Sequence, residues 1–206
     1  MRHEQLPFEQ RLKISDNQTF RIMNSLFENK TIKKFVKAQL DEDKDGIDYF
    51  VDYENYFAAP IQCKTRLKGK KDIPVVRFQP FRGIDHDSLV IGRDYKGLVN
   101  GKTLLYFTGS QDKENSKGFN SVSIILANKL MNLINAAEQE WFPNGNPWGY
   151  FTNETYKNTI SKGRNSYKLK VASNGVEAWF KKNPQESFGK INYYIPHSEA
   201  DRNISI

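Results

Sequence analysis

The hexapeptide Ile61-Gln62-Cys63-Lys64-Thr65-Arg66 switches between a polar and a smaller or apolar side chain at each step. Successive side chains of a strand point to opposite faces, so Gln62, Lys64 and Arg66 share one side while Ile61, Cys63 and Thr65 share the other. Asp48 stands fourteen positions before Gln62, in Asp45-Gly46-Ile47-Asp48. After it Ile47, Tyr49 and Val51 fall together, which puts Asp48 with Phe50 and Asp52 on the reverse side of an earlier strand. Asp52-Tyr53-Glu54-Asn55 is a polar break suited to a hairpin tip. Pairing around that tip brings Asp48 and Gln62 side by side near the open end of the hairpin.

Chemistry follows from that pairing. A carboxylate and an amide oxygen, helped by the main-chain carbonyl of Cys63, suit a hard cation such as magnesium or manganese, which prefers oxygen ligands. Two residues beyond Gln62, the ammonium of Lys64 can orient an attacking water and offset charge that builds on phosphoryl oxygens. A unit charge pair at roughly 4 Å and an effective dielectric of about 20 is worth on the order of 4 kcal/mol. That is enough to matter for rate if it strengthens in the transition state.

These two segments resemble the Asp…(Glu/Gln)-x-Lys signature of the PD-(D/E)XK nuclease superfamily, in its Gln-x-Lys form, over about residues 16 to 135. The resemblance implies an α/β fold, a central mixed β-sheet flanked by helices with a restriction-endonuclease-like core, and magnesium-dependent cutting of DNA. By that likeness Asp48 is the first-strand metal ligand, Gln62 the second-strand ligand and Lys64 the catalytic lysine. No proline precedes Asp48, and Gln62 replaces the usual carboxylate, so the site has one negative charge fewer with which to hold a divalent ion. Another acid should compensate. In many relatives it is a glutamate on the first helix, and Glu28 is the only glutamate of the helix expected over Asp16 to Lys30, with Asp16 as its cap and Phe20, Ile22, Met23, Leu26 and Phe27 as its apolar stripe. Asp43, Asp45 and Asp52 are its rivals.

Charge points to the same class of partner. The chain of 206 residues carries a net charge of +7 and has a pI near 9.3, which favours a polyanion. Arg66, Lys68, Lys70 and Lys71 continue from the proposed site into a Gly-containing loop, and Arg77 and Arg82 could extend the substrate-facing side. The last third adds Lys157, Lys162, Arg164, Lys168, Lys170, Lys181 and Lys182 around a single acid, Glu177. Each phosphate neutralised releases counterions and makes binding salt-sensitive. DNA is the expected partner, and a homodimer is a reasonable expectation if both strands are cut, although no self-complementary apolar surface can be picked out.

The remaining features mostly exclude. One cysteine, Cys63, rules out an intrachain disulfide and a cysteine-based zinc site. Its place on the apolar side of its strand marks it as a packed thiol. His3, His86 and His197 lack ligand spacing, and Asp85-His86-Asp87 reads as a surface turn. No apolar run approaches the length needed to cross a bilayer, and residues 1 to 10 have no signal-like apolar stretch, so the expectation is a cytoplasmic protein without a membrane role. Gly97 to Thr103 imitates a nucleotide-binding loop but has three residues between its glycines where four are needed.

The expected organisation is an arm over 1–15, a nuclease-like core over 16–141 and a basic, β-rich C-terminal elaboration over 142–206 of the same domain. Further strands are expected at Ile73–Phe78, Thr103–Thr108, Ser121–Leu126, Tyr167–Val171 and Ile191–Ile195, with helices at Asp87–Gly97 and Asn128–Trp141. Asn100-Gly101 reads as a hairpin turn and Pro143 to Gly149 as a loop, in which Trp148 and Tyr150 are candidates for stacking on bases. The expected function is a metal-dependent endonuclease hydrolysing DNA phosphodiester bonds. The alternative, kept alive by Gln62, is a non-catalytic nucleic-acid-binding or assembly protein on the same kind of fold.

Overall fold

The computed structural model of the chain describes residues 8–66, 70, 72–80, 89–111, 119–160, 166–181 and 189–206. It is a mixed α/β structure built around two sheets. The first has six strands in the order β1 (Lys34–Lys37), β2 (Tyr49–Tyr53), β3 (Tyr56–Arg66), β6 (Leu105–Ser110), β7 (Ser121–Leu126) and β11 (Arg202–Ser205). All neighbours in it are antiparallel except β3 and β6. A parallel pair needs a long crossover. Here the crossover leaves the sheet, contributes β4 (Ile73–Pro80) and β5 (Leu89–Ile91) to a second sheet, and returns through helix α3 (Arg93–Val99). That second sheet runs β5, β4, β10 (Lys190–Ile195), β9 (Glu177–Lys181), β8 (Ser166–Val171) and is antiparallel throughout.

Helix α1 (Phe8–Glu28) covers one face of the six-stranded sheet. Thr19, Ile22, Met23 and Leu26 recur at helical spacing, and the last three are fully buried against Ile61, Cys63, Leu105 and Phe107. Burying each such side chain is worth about 1.5–3 kcal/mol, which fixes the helix on the strand that carries Gln62 and Lys64. The helix begins eight residues before Asp16, so Asp16 is an interior residue and not its cap, and residues 8–15 of the expected arm are helical. It ends where Lys30 takes a positive φ of 62° and the Thr31 amide returns to the Leu26 carbonyl at 2.9 Å.

A second core lies on the opposite side of that sheet. Tyr106 and Ile125 meet helix α4 (Ala127–Trp141) through Leu130, Ile134 and Ala137, and the inner faces of β4, β9 and β10 through Val75, Phe180 and Tyr193. Helix α5 (Pro147–Ile160) adds Phe151. The C-terminal third is thus interleaved with the rest, since β10 pairs with β4 and β11 lies beside β7.

Two local readings are corrected. Asn100-Gly101 is no hairpin turn: Asn100 caps α3 and Gly101, at φ 66°, turns the chain toward β6. Residues 147–149 are not a loop, because Pro147 opens α5, where its missing N–H costs nothing. Trp148 sets its edge on Phe78 with centroids 5.0 Å apart, and Tyr150 packs on Phe142 at 5.2 Å.

Candidate active site

The hairpin of β2 and β3 pairs Tyr49 with Ile61 and Phe50 with Pro60. One residue upstream, the Asp48 amide donates to the Ile61 carbonyl at 2.8 Å, so Asp48 sits beside Gln62 at the open end of the hairpin. Its carboxylate is held from two sides. Gln62 Nε2 donates to Asp48 Oδ2 at 2.6 Å and the Cys63 amide donates to the same oxygen at 2.8 Å. Burial pushes the Asp48 carboxyl up from 3.8 to about 6, against the opposing pull of Lys64, the Cys63 amide and Arg93.

Helix α3 closes the site from the other side. Its approach depends on two glycines: a Cβ on Gly97 would stand 2.7 Å from the Asp45 carbonyl oxygen and 3.4 Å from Gly46 Cα. Gly46 itself adopts φ 89° directly before Ile47-Asp48. With the backbones in contact, Arg93 and Asp94 in the first turn of α3 reach the strand residues. Lys64 Nζ is 2.9 Å from Asp94 Oδ1, in a pair whose side chains are 23% and 5% exposed. Arg93 donates to Asp43 at 2.8 Å and holds its other terminal nitrogen 3.8 Å from Asp48 Oδ1. The outcome is a cleft of about 280 Å³ whose lining includes Asp16, Lys37, Asp43, Asp48, Lys64 and Arg93.

The donor set bears on a metal ion. Gln62 Oε1 and Asp94 Oδ2 are buried with no hydrogen-bond partner among the described residues. An orphaned acceptor in such a place is costly, and a cation or a proton relieves it. Half a turn of the Gln62 amide exchanges its nitrogen and oxygen with little change of shape, and then sets Oε1 where Nε2 now lies, 2.6 Å from Asp48 Oδ2, a meeting of two acceptors that a cation or a proton would relieve. A carboxylate and an amide oxygen fit a hard divalent ion. No group of three or more His, Cys, Asp and Glu side chains clusters among the described residues, so the fit rests on Asp48, Gln62 and main-chain oxygen.

The expected triad of Asp48, Gln62 and Lys64 therefore comes together, but its surroundings differ from expectation. Glu28 does not join it. It ends α1 on the surface, accepts from Asn24 at 2.6 Å, and lies twelve residues, about 18 Å of helix, beyond Asp16, which does line the cleft. Of its rivals, Asp43 lines the cleft, whereas Asp52 accepts from the Ala58 amide at the hairpin tip. Asp94 and Arg93 went unnoticed in the sequence, where nothing local marks a partner thirty residues from Lys64.

The basic residues are also redistributed. Arg66 is not free to grip phosphate: it is buried in a forked pair with Asp72, at 2.6 and 2.8 Å, with its guanidinium over the Tyr194 ring. Arg77 is likewise buried, donating to Glu138 at 2.6 Å with its guanidinium 3.9 Å from the Tyr95 ring centre. Desolvation is the reason in both cases, because a buried cation must keep a carboxylate partner. Lys70 is exposed. Lys68, Lys71, Arg82, His3, His86, Lys162, Arg164 and Lys182 lie outside the described residues. Cys63 is buried as expected, and burial pushes its thiol well up. Among the described residues no helix is long and apolar enough to cross a membrane.

No protein-family model, curated protein or solved structure matches the chain.

Proposed function

We propose that the chain is a metal-dependent endonuclease that hydrolyses DNA phosphodiester bonds at the Asp48 cleft. The observation that carries the reading is the convergence of the Asp48 carboxylate, the Gln62 amide and the Lys64 ammonium on one end of the β2–β3 hairpin. Mixed α/β architecture around a central mixed sheet and a net charge of +7 are consistent with it.

Asp48 and Gln62, with the Cys63 carbonyl, are the residues that would hold magnesium or manganese, and the ion would supply Lewis acidity toward the phosphoryl oxygen. The protein's own part is positioning and charge. Lys64, steered by Asp94, brings a cation to the place where negative charge grows during attack on phosphorus. Arg93, anchored on Asp43, sits beside Asp48 and meets the scissile phosphate as it enters. Asp94 keeps Lys64 aimed until a phosphate competes for it.

A second reading has its own observation. Asp48 Oδ2 already accepts two hydrogen bonds and Lys64 already has a carboxylate, so the cluster is also self-sufficient as a nucleic-acid-binding or assembly protein with a degraded metal site. Incubation of the pure chain with supercoiled, linear and branched DNA, with magnesium or with chelator, separates the two. Cleavage that disappears in Asp48→Ala and in Lys64→Ala supports the nuclease; binding that survives both changes, with no cutting in magnesium or manganese, supports the alternative.

A further inference from the structure

The depth of the Asp48 cleft and the make-up of its mouth bear on the form of nucleic acid it can take. Thr19, Tyr49 and Cys63 of its lining are buried, and Gln62, bonded to Asp48, is fully buried. The side chains of Asp48 and Lys64 are 15% and 23% exposed, those of Arg93 and Asp43 37% and 39%, and those of Asp16 and Lys37 47% and 61%. Access thus rises in steps from the reacting groups to the rim, which places those groups at the bottom of a recess.

Three helices contribute to its wall. Ser15, Asp16 and Thr19 line it at helical spacing along α1, Leu40 and Asp43 line it three residues apart on α2 (Leu40–Lys44), and Arg93 lines it from the start of α3. Two ion pairs join the rim across elements: Lys37 of β1 meets Asp16 of α1 at 2.8 Å, and Arg93 of α3 meets Asp43 of α2 at 2.8 Å. Among the described residues the lining is therefore balanced in charge, with Lys37, Lys64 and Arg93 set against Asp16, Asp43 and Asp48. A duplex brings a phosphate about every 1.7 Å of its axis, twice the density of one strand, and this lining has no surplus of cations to meet it. Shape acts in the same direction. A duplex holds its direction over on the order of 150 base pairs and does not send a few nucleotides down into a recess, whereas an unpaired strand bends freely. The volume of about 280 Å³ lies at the small end of pockets for a single small molecule.

We propose that the Asp48 cleft takes an unpaired strand, such as a flap, an overhang or an opened stretch, and not an intact duplex. The inference rests on the nuclease reading of this site and specifies its substrate. Leu40, 72% exposed on α2, gives the rim an apolar member. An exposed leucine needs no explanation on an ordinary surface. At the lip of a site that admits one strand, it is placed to rest against the last base pair where two strands part.

The test uses the full chain and one labelled strand of about 40 nucleotides, offered alone, in a blunt duplex and as one arm of a splayed fork. With magnesium or manganese, kcat/KM for the single strand and the fork should exceed that for the blunt duplex at least tenfold, with the cuts on the fork in its unpaired arm. Leu40→Ala should lose about fivefold more on the fork than on the single strand. Binding supplies a readout independent of cleavage. With chelator present, Asp48→Ala should hold the single strand about tenfold tighter than the duplex by fluorescence anisotropy, and adding Arg93→Ala should shrink that preference. A 2-aminopurine in the last pair of the fork should brighten on binding of Asp48→Ala, and less so when Leu40→Ala is added. Equal cleavage of duplex and single strand overturns the proposal while leaving the nuclease reading in place. Equal affinity for the two, or a preference that Arg93→Ala leaves untouched, also overturns it. Cleavage of no substrate, with the preference present and dependent on Arg93, overturns the nuclease reading and leaves the cleft as a single-strand binding site.

Discussion

Gln62 Nε2 and Asp48 Oδ2 lie 2.6 Å apart, so the amide that could offer an oxygen to a metal ion offers hydrogen to a carboxylate instead. Two roles compete for one side chain. As a donor Gln62 steadies a buried anion; as an acceptor it completes a cation site.

Gln62→Glu tests which role matters. With chelator present, the substitution places two carboxylates in contact inside the protein and should lower stability by about 2–4 kcal/mol or force one of them to keep its proton. Magnesium at about 5 mM should restore most of the loss, read as a rise in Tm that the unaltered chain does not match. Failure of magnesium and manganese to restore stability would remove Asp48 and Gln62 as a metal pair.

The Asp48 carboxyl, pushed up to about 6 by burial, links stability to pH in a definite direction. The folded chain keeps this proton between about pH 4 and 6 while the unfolded chain has released it, so its contribution to stability falls as pH rises through that window. Above it the cost levels off near about 3 kcal/mol, at 1.4 kcal/mol per pKa unit. Asp48→Asn retains an oxygen for Gln62 and Cys63, and should therefore raise Tm near pH 7.5 but not at about pH 3.5. Equal Tm changes at both values would contradict the buried charge.

Asp94 holds the Lys64 ammonium at 2.9 Å and, in the proposed reaction, acts through it as a positioning residue. Asp94→Asn should lower kcat for plasmid nicking about 10- to 100-fold with little change in KM, since aim is lost but the cation remains. A rise in KM alone would show that Lys64 serves binding instead of the reaction.

Arg77 belongs to the scaffold. Glu138 Oε1 accepts from Arg77 Nε at 2.6 Å and from the Tyr193 hydroxyl at 2.7 Å, so one carboxylate ties β4, β10 and α4 together. Arg77→Ala should cost about 3–5 kcal/mol in chemical denaturation by leaving that carboxylate buried and unpaired. DNA affinity per folded molecule should change less than about twofold; a tenfold loss would return Arg77 to the nucleic-acid surface.

Periodicity was the most legible layer of this chain. β7 matches its expected span, α4 starts one residue early, and the alternation through Gln62, Lys64 and Arg66 places all three on a common face. What alternation cannot reveal is that both faces are covered: Gln62 is fully buried, and Arg66 and Arg77 are scaffold cations because their acids come from other elements. Asp94 stayed hidden for the same reason, since a pairing across a crossover leaves no local pattern. Composition misled at Pro147 and Gly101, residues that break regular structure in general but fit the first turn of a helix and the exit from one.

The pairing of Val75 on β4 with Tyr193 on β10 also governs the order in which the molecule can assemble. The hairpin bearing Asp48 and Gln62 is a local structure that can form early in synthesis, whereas β4 waits for a partner well over a hundred residues downstream. Closing so long a loop is slow, and during that interval the nascent chain exposes the apolar strand Ile73-Pro74-Val75-Val76 without its central neighbour. Chaperone dependence and inclusion-body formation are therefore expected to track mutations in this strand more closely than mutations in the cleft.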